Sequence, residues 1–101
     1  SFVAKLYSML EDETISNMIS WGPTGDVFSV SNPAEFSRLV LPTWFKHANW
    51  QSFVRQLNMY GFHKVNHTFS GLPNEEVQIW EFKHTYFRKG EVGLLSEIKR
   101  K

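Results

Sequence analysis

The segment from Asn49 to Gly61 (NWQSFVRQLNMYG) has the clearest two-sided pattern in the chain. Wound as a helix at about 100° per residue, it places aromatic and aliphatic side chains on one side: Trp50, Phe53, Leu57 and Tyr60. The opposite side is centred on Arg55 and carries uncharged neighbours: Gln51, Ser52, Asn58 and Met59. This pattern predicts a helix that is anchored to a core along one side and accessible along the other.

The first third of the chain predicts a helix followed by a β-hairpin. Apolar residues recur at three- and four-residue spacing over residues 2–11, which is typical of an amphipathic helix. Short strands are predicted at Ile19–Trp21 and Val27–Val30. The run GPTGD (22–26) between them predicts the turn.

A second helix is predicted to begin at Asn32–Glu35 (NPAE). Asn accepts hydrogen bonds from free N–H groups, Pro has a preset φ for the first helical position, and Glu stands third. Its buried side is predicted from the apolar residues Phe36, Leu39 and Val40. Pro42 should break or kink this helix near Leu41, with residues 43–45 resuming it.

The connection between the second and third helices is short, only Lys46–Ala48. Asn49 is a plausible N-cap for the third helix, and Gly61 suits the left-handed residue that ends it. Two helices joined by such a turn form a helix-turn-helix.

A pair of strands follows the third helix. Phe62–Asn66 and Val77–Lys83 are typical of strands, and His67–Glu76, with its Gly and Pro, predicts a flexible loop between them. Residues 91–101 predict a terminal helical turn or two. The expected fold is therefore α+β, with three helices and four strands in a winged helix-turn-helix.

Composition supports one small domain spanning residues 1–101. Apolar residues make up 42% and aromatic residues 16%, and the large aromatic side chains give a short chain enough core. The absence of Cys excludes disulfides, Cys-based zinc fingers and thiol catalysis. No apolar run approaches the ~20 residues of a membrane span. We therefore expect a soluble intracellular domain with no membrane partner.

Charge is uneven along the chain. A net charge of +1 and a pI of about 8.0 argue weakly against nucleic-acid binding. However, residues 1–35 hold five acids and one base, whereas residues 36–74 hold four bases and no acid. The last three residues are all basic. The predicted third helix thus lies in the basic part of the chain.

Arg55 is the leading candidate for a chemical role. An Arg side chain can donate two parallel hydrogen bonds to the O6 and N7 of guanine, which discriminates bases by about 1–3 kcal/mol. The nearest acids in the sequence are Glu35 and Glu75, so Arg55 has no helical ion-pair partner. This pattern favours base reading over a structural ion pair.

Several residues around the helix are candidates for contacts with DNA phosphates. Lys46 and Lys64 bracket the helix, where the two backbones of a duplex pass a helix in the major groove. The free N–H groups at the Asn49 end could hold a phosphate, and three side chains could donate to one: Ser52, Asn58 and Tyr60. Tyr60 fits a core position equally well. His47 fits either a phosphate contact or a structural hydrogen bond.

Metal binding and catalysis find little support in the sequence. The four histidines, His47, His63, His67 and His84, have neither Cys nor a nearby acid to complete a tetrahedral set. We also find no paired carboxylates in an apolar setting, no Gly-rich phosphate loop, and no Ser with a plausible His–Asp partner. We therefore expect no metal, no cofactor and no enzyme.

The runs Phe45–His47 and Ser52–Val65 closely resemble the DNA-binding domain of heat shock transcription factors. The resemblance extends over nearly the whole chain, including Phe2–Leu10, Trp80–Phe82 and Leu94–Lys101. It implies a winged helix-turn-helix in the nucleus whose wing lies against a neighbouring copy. It also implies duplex DNA with GAA/TTC repeats as ligand, and other copies joined through a coiled coil outside this chain.

The resemblance also implies residue roles. Arg55 matches the residue that reads guanine in the nGAAn unit. Positions on or near the phosphates are matched by Lys46, Ser52, Asn58, Tyr60 and Lys64, and Arg100 and Lys101 match a basic end that approaches the backbone. A rival interpretation is a winged-helix module whose third helix binds another protein.

One pair of residues departs from the family pattern. Trp50 and Gln51 stand where a smaller or aliphatic residue and then Ala or Ser are more common. Gln51 lies one turn before Arg55 on the same side, and Gln can pair with the N6 and N7 of adenine. We therefore predict that Gln51 reads the base beside the guanine. Other details resemble fungal relatives that control flocculation and filamentous growth.

Overall fold

A computed structural model describes residues 1–65 and 79–101 of the chain. Its α-helices are α1 (Phe2–Glu11), α2 (Pro33–Leu39), α3 (Leu41–Trp44) and α4 (Trp50–Met59). Its strands are β1 (Ile19–Trp21), β2 (Val27–Ser31), β3 (His63–Val65) and β4 (Ile79–Lys83). Short 3-10 helices cover Glu13–Ile15 and Val92–Glu97. This is the α+β winged helix-turn-helix that the sequence predicts, with its second helix in two pieces.

The four strands form one antiparallel sheet in the order β1-β2-β4-β3. Phe28 of β2 stands opposite both Trp21 of β1 and Phe82 of β4, and Phe82 also stands opposite Lys64 of β3. Because alternate residues share a face of a strand, this register sets an aromatic row on the face that carries the core. The pairing also brings β3 and β4 together directly after α4.

The core is largely aromatic, and it joins α1 to α4. Phe28, Phe36, Phe53, Phe82 and Phe87 are all fully buried. Phe2, at the start of α1, lies 6.0 Å from the Phe53 ring and 5.3 Å from the Tyr60 ring, which it stacks on. Such ring pairs add about 0.5–1.5 kcal/mol each beyond their buried area, so α1 and α4 are firmly held together.

The predicted start of the second helix is confirmed, but one predicted core position is wrong. The Asn32 side chain accepts a hydrogen bond from the Glu35 N–H at 3.3 Å. Leu39, expected in the core, is 49% exposed, whereas Ser37 is buried. At about 100° per residue, Ser37 lies nearer than Leu39 to the mean direction of the buried residues Pro33, Phe36 and Val40. The buried side of α2 is therefore rotated away from Leu39.

The break before Pro42 is also confirmed. Val40 ends α2, and Pro42 occupies the first turn of α3, where its missing N–H costs no helical hydrogen bond. The strand predicted at Phe62–Asn66 is shorter, since Phe62 is buried but lies outside β3. Asn66, the loop His67–Glu76 and the first residues of the strand predicted at Val77–Lys83 lie outside the described residues.

Candidate nucleic-acid interface

The N-terminal end of α4 is fixed by two linked hydrogen bonds. The Asn49 side-chain oxygen accepts from the Ser52 N–H at 2.8 Å, which caps the helix as predicted. The Asn49 N–H donates to Nδ1 of His47 at 3.1 Å, and the His47 ring stacks on Phe45. His47 therefore makes a structural hydrogen bond through Nδ1, which leaves Nε2 as the ring nitrogen available to a phosphate.

The C-terminal end of α4 is equally defined. Gly61 has a φ of 87°, as its predicted role requires, and the Phe62 N–H reaches back to the Leu57 carbonyl at 2.9 Å. The Lys101 N–H donates to the Met59 carbonyl at 2.8 Å. The basic end of the chain is thus tied to the last turn of α4.

The outer side of α4 is polar and accessible. Four predicted contact residues are exposed along it: Gln51, Ser52, Arg55 and Asn58. Within residues 1–65 and 79–101, Arg55 makes no hydrogen bond and no ion pair, unlike Arg38, which lies 3.9 Å from Glu35. A guanidinium held outward without a carboxylate is available to a ligand.

One flank of this side is an apolar depression of about 430 Å³. Its lining brings together three predicted residues with a Val and two Trp: Gln51, Arg55, Asn58, Val54, Trp50 and Trp80. The Trp50 and Trp80 rings pack edge to face at 5.6 Å, and Lys64 Nζ lies 3.8 Å from the centre of a Trp80 ring. This cation–π contact holds the Lys64 charge beside the outer side of α4.

The other flank is a basic pocket of about 380 Å³ on the α1 side of α4, which we name the α1 pocket. Four of its residues are predicted contacts: Lys46, His47, Tyr60 and Arg100. Three polar lining residues, Ser1, Lys5 and Gln56, are not among the predictions. The Tyr60 ring stacks on Phe2, as its core alternative predicts, and the residue also lines this pocket.

Lys101 lies apart from Arg100. It lines a separate depression of about 360 Å³ together with His63, His84 and Lys99. Burial, and then the positive potential of His63, lower the pKa of His84, whereas a hydrogen bond that the ring donates to the Tyr60 backbone raises it and Lys101 lowers it slightly. The lowered pKa favours the neutral ring, whose Nδ1 accepts from the Tyr86 N–H at 3.0 Å.

Comparison with known proteins decides the family. The model of the HSF-type DNA-binding family matches residues 2–101 of this chain. The chain belongs to this family. HSF-type domains are DNA-binding modules of transcription factors and are not an enzyme family.

Two fungal relatives align with the whole or nearly the whole of this HSF-type domain. The heat shock transcription factor of Cryptococcus neoformans var. neoformans is 52% identical over 100% of the chain, and the transcription factor SFL1 of Candida albicans is 50% identical over 99%. The chain spans 13% of the length of each. The chain is thus similar to both relatives to nearly the same degree.

Solved structures of similar HSF-type domains include their DNA. Chaetomium thermophilum Skn7 with SSRE DNA has a TM-score of 0.89 and 46% identity, covering 99% of this chain and 98% of that one. The same protein with HSE DNA has a TM-score of 0.83 and 43% identity, covering 98% of both chains. The overall fold described above is therefore the fold of these DNA-bound relatives.

The described part of this HSF-type domain has neither a candidate metal site nor a candidate membrane-spanning helix. Residues 1–65 and 79–101 bring no three His, Cys, Asp or Glu side chains into a cluster that could hold a metal ion. Over the same residues, no helix has the length and apolar character needed to cross a bilayer.

Proposed function

We propose that this HSF-type domain binds double-stranded DNA sequence-specifically, with α4 in the major groove and Arg55 reading the guanine of a GAA half-site. The observation that carries the proposal is the exposed Arg55, which has no partner within residues 1–65 and 79–101 and stands opposite the buried Phe53 and Leu57. A major groove about 12 Å wide admits a helix, and a bidentate Arg–guanine pair is the commonest specific contact there.

Gln51 is proposed to read the base beside that guanine. It is exposed and lines the same depression as Arg55, one helical turn earlier. Its amide can pair with the N6 and N7 of adenine, which suits the adenine that follows guanine in GAA. Arg55 and Gln51 together would then read two successive base pairs.

The phosphate contacts are proposed to lie on both flanks of α4. Lys64 stands on the Trp80 side, and Lys46 stands on the α1 side, in keeping with the two backbones that border a major groove. The other proposed backbone contacts are His47, Asn49, Ser52, Asn58, Tyr60, Arg100 and Lys101. Such contacts set affinity and register without reading sequence.

We propose that the full protein is a nuclear transcription factor that acts through several copies. A single DNA-binding module buries only about 600–1,000 Å² of protein surface, so one domain on one half-site binds modestly. Repeated GAA/TTC units would be bound by several domains joined through a coiled coil outside this chain.

The test measures binding of the purified chain to a duplex carrying GAA units, to every single-base variant of one unit, and to a scrambled duplex. Arg55→Ala should remove about 1–3 kcal/mol of discrimination at the guanine. Gln51→Ala should flatten the preference at the neighbouring base only. Lys64→Ala is the control, because losing a phosphate contact weakens binding to all duplexes alike.

Two outcomes contradict the proposal in different ways. An unchanged preference at the neighbouring base in Gln51→Ala removes Gln51 from base reading and leaves Arg55 in place. Affinity for duplex DNA that barely falls with salt, with no preference for GAA, would instead support a protein-interaction module.

A further inference from the structure

We infer that Lys5 contacts the DNA backbone, and that the α1 pocket holds a phosphate group between Lys5, Lys46 and Arg100. This inference rests on the proposed function and adds an element to it. Lys5 lies in the acidic first third of the sequence, where its sequence position gives no reason to select it.

The charge of the α1 pocket is the first argument. Three separate parts of the chain supply its cationic side chains: α1 supplies Lys5, the turn before α4 supplies Lys46, and the C-terminal segment supplies Arg100. None of the residues lining the pocket is acidic. Three positive charges around one concave surface without a compensating carboxylate create a local positive potential that attracts an anion.

The position of Lys5 is the second argument. Phe2 packs on Phe45 at 5.6 Å and stacks on Tyr60 at 5.3 Å, which fixes the rotation of α1 against α4. Lys5 follows Phe2 by three residues and so lies on the same side of α1. Its Nζ is 5.5 Å from the centre of the Phe45 ring, within the range of a cation–π contact. Lys5 is therefore directed towards Phe45, the residue directly before Lys46.

The place of the pocket beside α4 identifies the anion. Gln56 and Tyr60 of the α4 segment form part of its lining, so the pocket borders the helix that carries Arg55. When a helix lies in a major groove, a backbone ridge passes along each of its flanks. Lys64 occupies the Trp80 flank, and the α1 pocket occupies the opposite one. A phosphate of the bound duplex is thus the anion that meets Lys5.

Salt dependence gives a direct test. Each phosphate contact contributes about 0.9 to the magnitude of the slope of log K against log salt. The ratio of the DNA-binding constants of the parent chain and Lys5→Ala should therefore shrink about 3.5-fold between roughly 50 and 200 mM salt. The preference for GAA over scrambled DNA should not change. Lys5→Arg should restore the slope, because it restores the charge.

The matched control is Lys89→Ala. Lys89 is also exposed, and its N–H donates to the Gly25 carbonyl of the β1–β2 turn rather than lining the α1 pocket. Lys89→Ala removes the same net charge as Lys5→Ala but leaves the α1 pocket intact. The salt dependence of its DNA binding should therefore equal that of the parent chain. Equal slopes for Lys5→Ala and Lys89→Ala would overturn the inference.

A scan with methylphosphonates, which are uncharged phosphate analogues, identifies the contact itself. Each backbone position of the GAA duplex is replaced in turn, and binding of the parent chain and Lys5→Ala is compared. One position should weaken the parent chain more than it weakens Lys5→Ala, because the variant keeps Lys46 and Arg100 at that phosphate. If every position weakens both chains equally, Lys5 does not contact DNA. If the parent chain shows no duplex binding, the proposed function fails first, so the two failures are distinguishable.

Discussion

The two sides of α4 lie in different surroundings. Phe53 and Leu57 are 1% and 0% exposed within an aromatic core, whereas Arg55 and Gln51 are exposed on the opposite side. The buried side is fully occupied by the protein itself. The outer side carries a charge with no partner among residues 1–65 and 79–101, which leaves that charge available to a ligand.

Within the ten residues of α4, the residues that determine folding stability are therefore different from those proposed to bind DNA. Substitutions on the buried side should change the free energy of unfolding, because they remove packing. Exposed positions away from caps usually change it by less than about 0.5 kcal/mol. Substitutions at three positions, Phe53, Asn49 and His84, are ordered by the size of their expected effect on stability and test how far this separation holds, with Arg55→Ala as a control.

The largest effect is expected for Phe53→Ala. Its ring contacts four other rings, those of Phe2, Phe36, Phe45 and Trp50. Removing a buried Phe ring costs about 3–5 kcal/mol, a large part of the ~5–15 kcal/mol that stabilises a typical domain. Denaturant unfolding measures the loss.

Arg55→Ala is the control for that experiment, and its free energy of unfolding should stay within about 0.5 kcal/mol of the parent chain. A loss comparable to that of Phe53→Ala would show that Arg55 is structural. The separation of the two sides would then be wrong.

A smaller effect is expected at Asn49, where the two sides meet. Asn49→Ala removes the acceptor for the Ser52 N–H and should lower stability by about 1 kcal/mol. Asn49→Asp keeps an acceptor at the helix start, so stability should be retained. Its carboxylate should nevertheless weaken DNA binding by repelling phosphates.

Thermal unfolding and duplex titration of the two Asn49 variants supply the measurements. Equal DNA affinity for the parent chain and Asn49→Asp would place the N-terminal end of α4 away from the phosphates. It would leave the capping role of Asn49 intact.

The features of α4 were predictable because local chemistry determines them. The Asn49 cap, the left-handed Gly61 and the buried Phe53 and Leu57 each depend on residues within one or two helical turns. The same holds for the helix start at Asn32 and the break before Pro42. Such features require no knowledge of the rest of the chain.

Features that depend on tertiary packing were not predictable in this way. The exposure of Leu39 depends on how α2 is rotated against the sheet, and hydrophobicity alone gave the wrong side. Lys5 joins Lys46 and Arg100 only because α1 packs against α4 through Phe2. The charged neighbours of Lys5 in the sequence are mostly acidic, whereas its charged neighbours in the folded domain, Lys46 and Arg100, are basic.

The contact between Lys64 and Trp80 gives the same lesson for the Trp80 flank. Lys64 could be selected from the sequence because basic residues stand on both sides of α4. The aromatic surface that supports Lys64 could not be predicted in this way. Antiparallel pairing of β3 with β4 brings Trp80 near Lys64, and Trp50 supports Trp80 from α4. Candidate residues were therefore predictable one at a time, and their grouping was not.

The smallest effect is expected at His84, behind the C-terminal end of α4. Burial, with His63 and Lys101 nearby, lowers the pKa of His84 below its ordinary value of 6.5, so the folded state binds this proton less readily than the unfolded state. Its stabilising contribution is therefore complete above the ordinary pKa and declines as the pH falls towards the lowered one. Protonation would also remove the Nδ1 acceptor used by the Tyr86 N–H.

His84→Asn tests this expectation, because Asn keeps polar groups but does not titrate. Urea unfolding of both chains from about pH 7.5 to about pH 5 gives the difference in stability, in which groups that do not interact with His84 cancel. The difference in free energy of unfolding between the parent chain and His84→Asn should narrow as the pH falls. A difference that stays constant across this range would mean that His84 titrates as it does in the unfolded chain, and that its burial behind α4 imposes no cost on its charge.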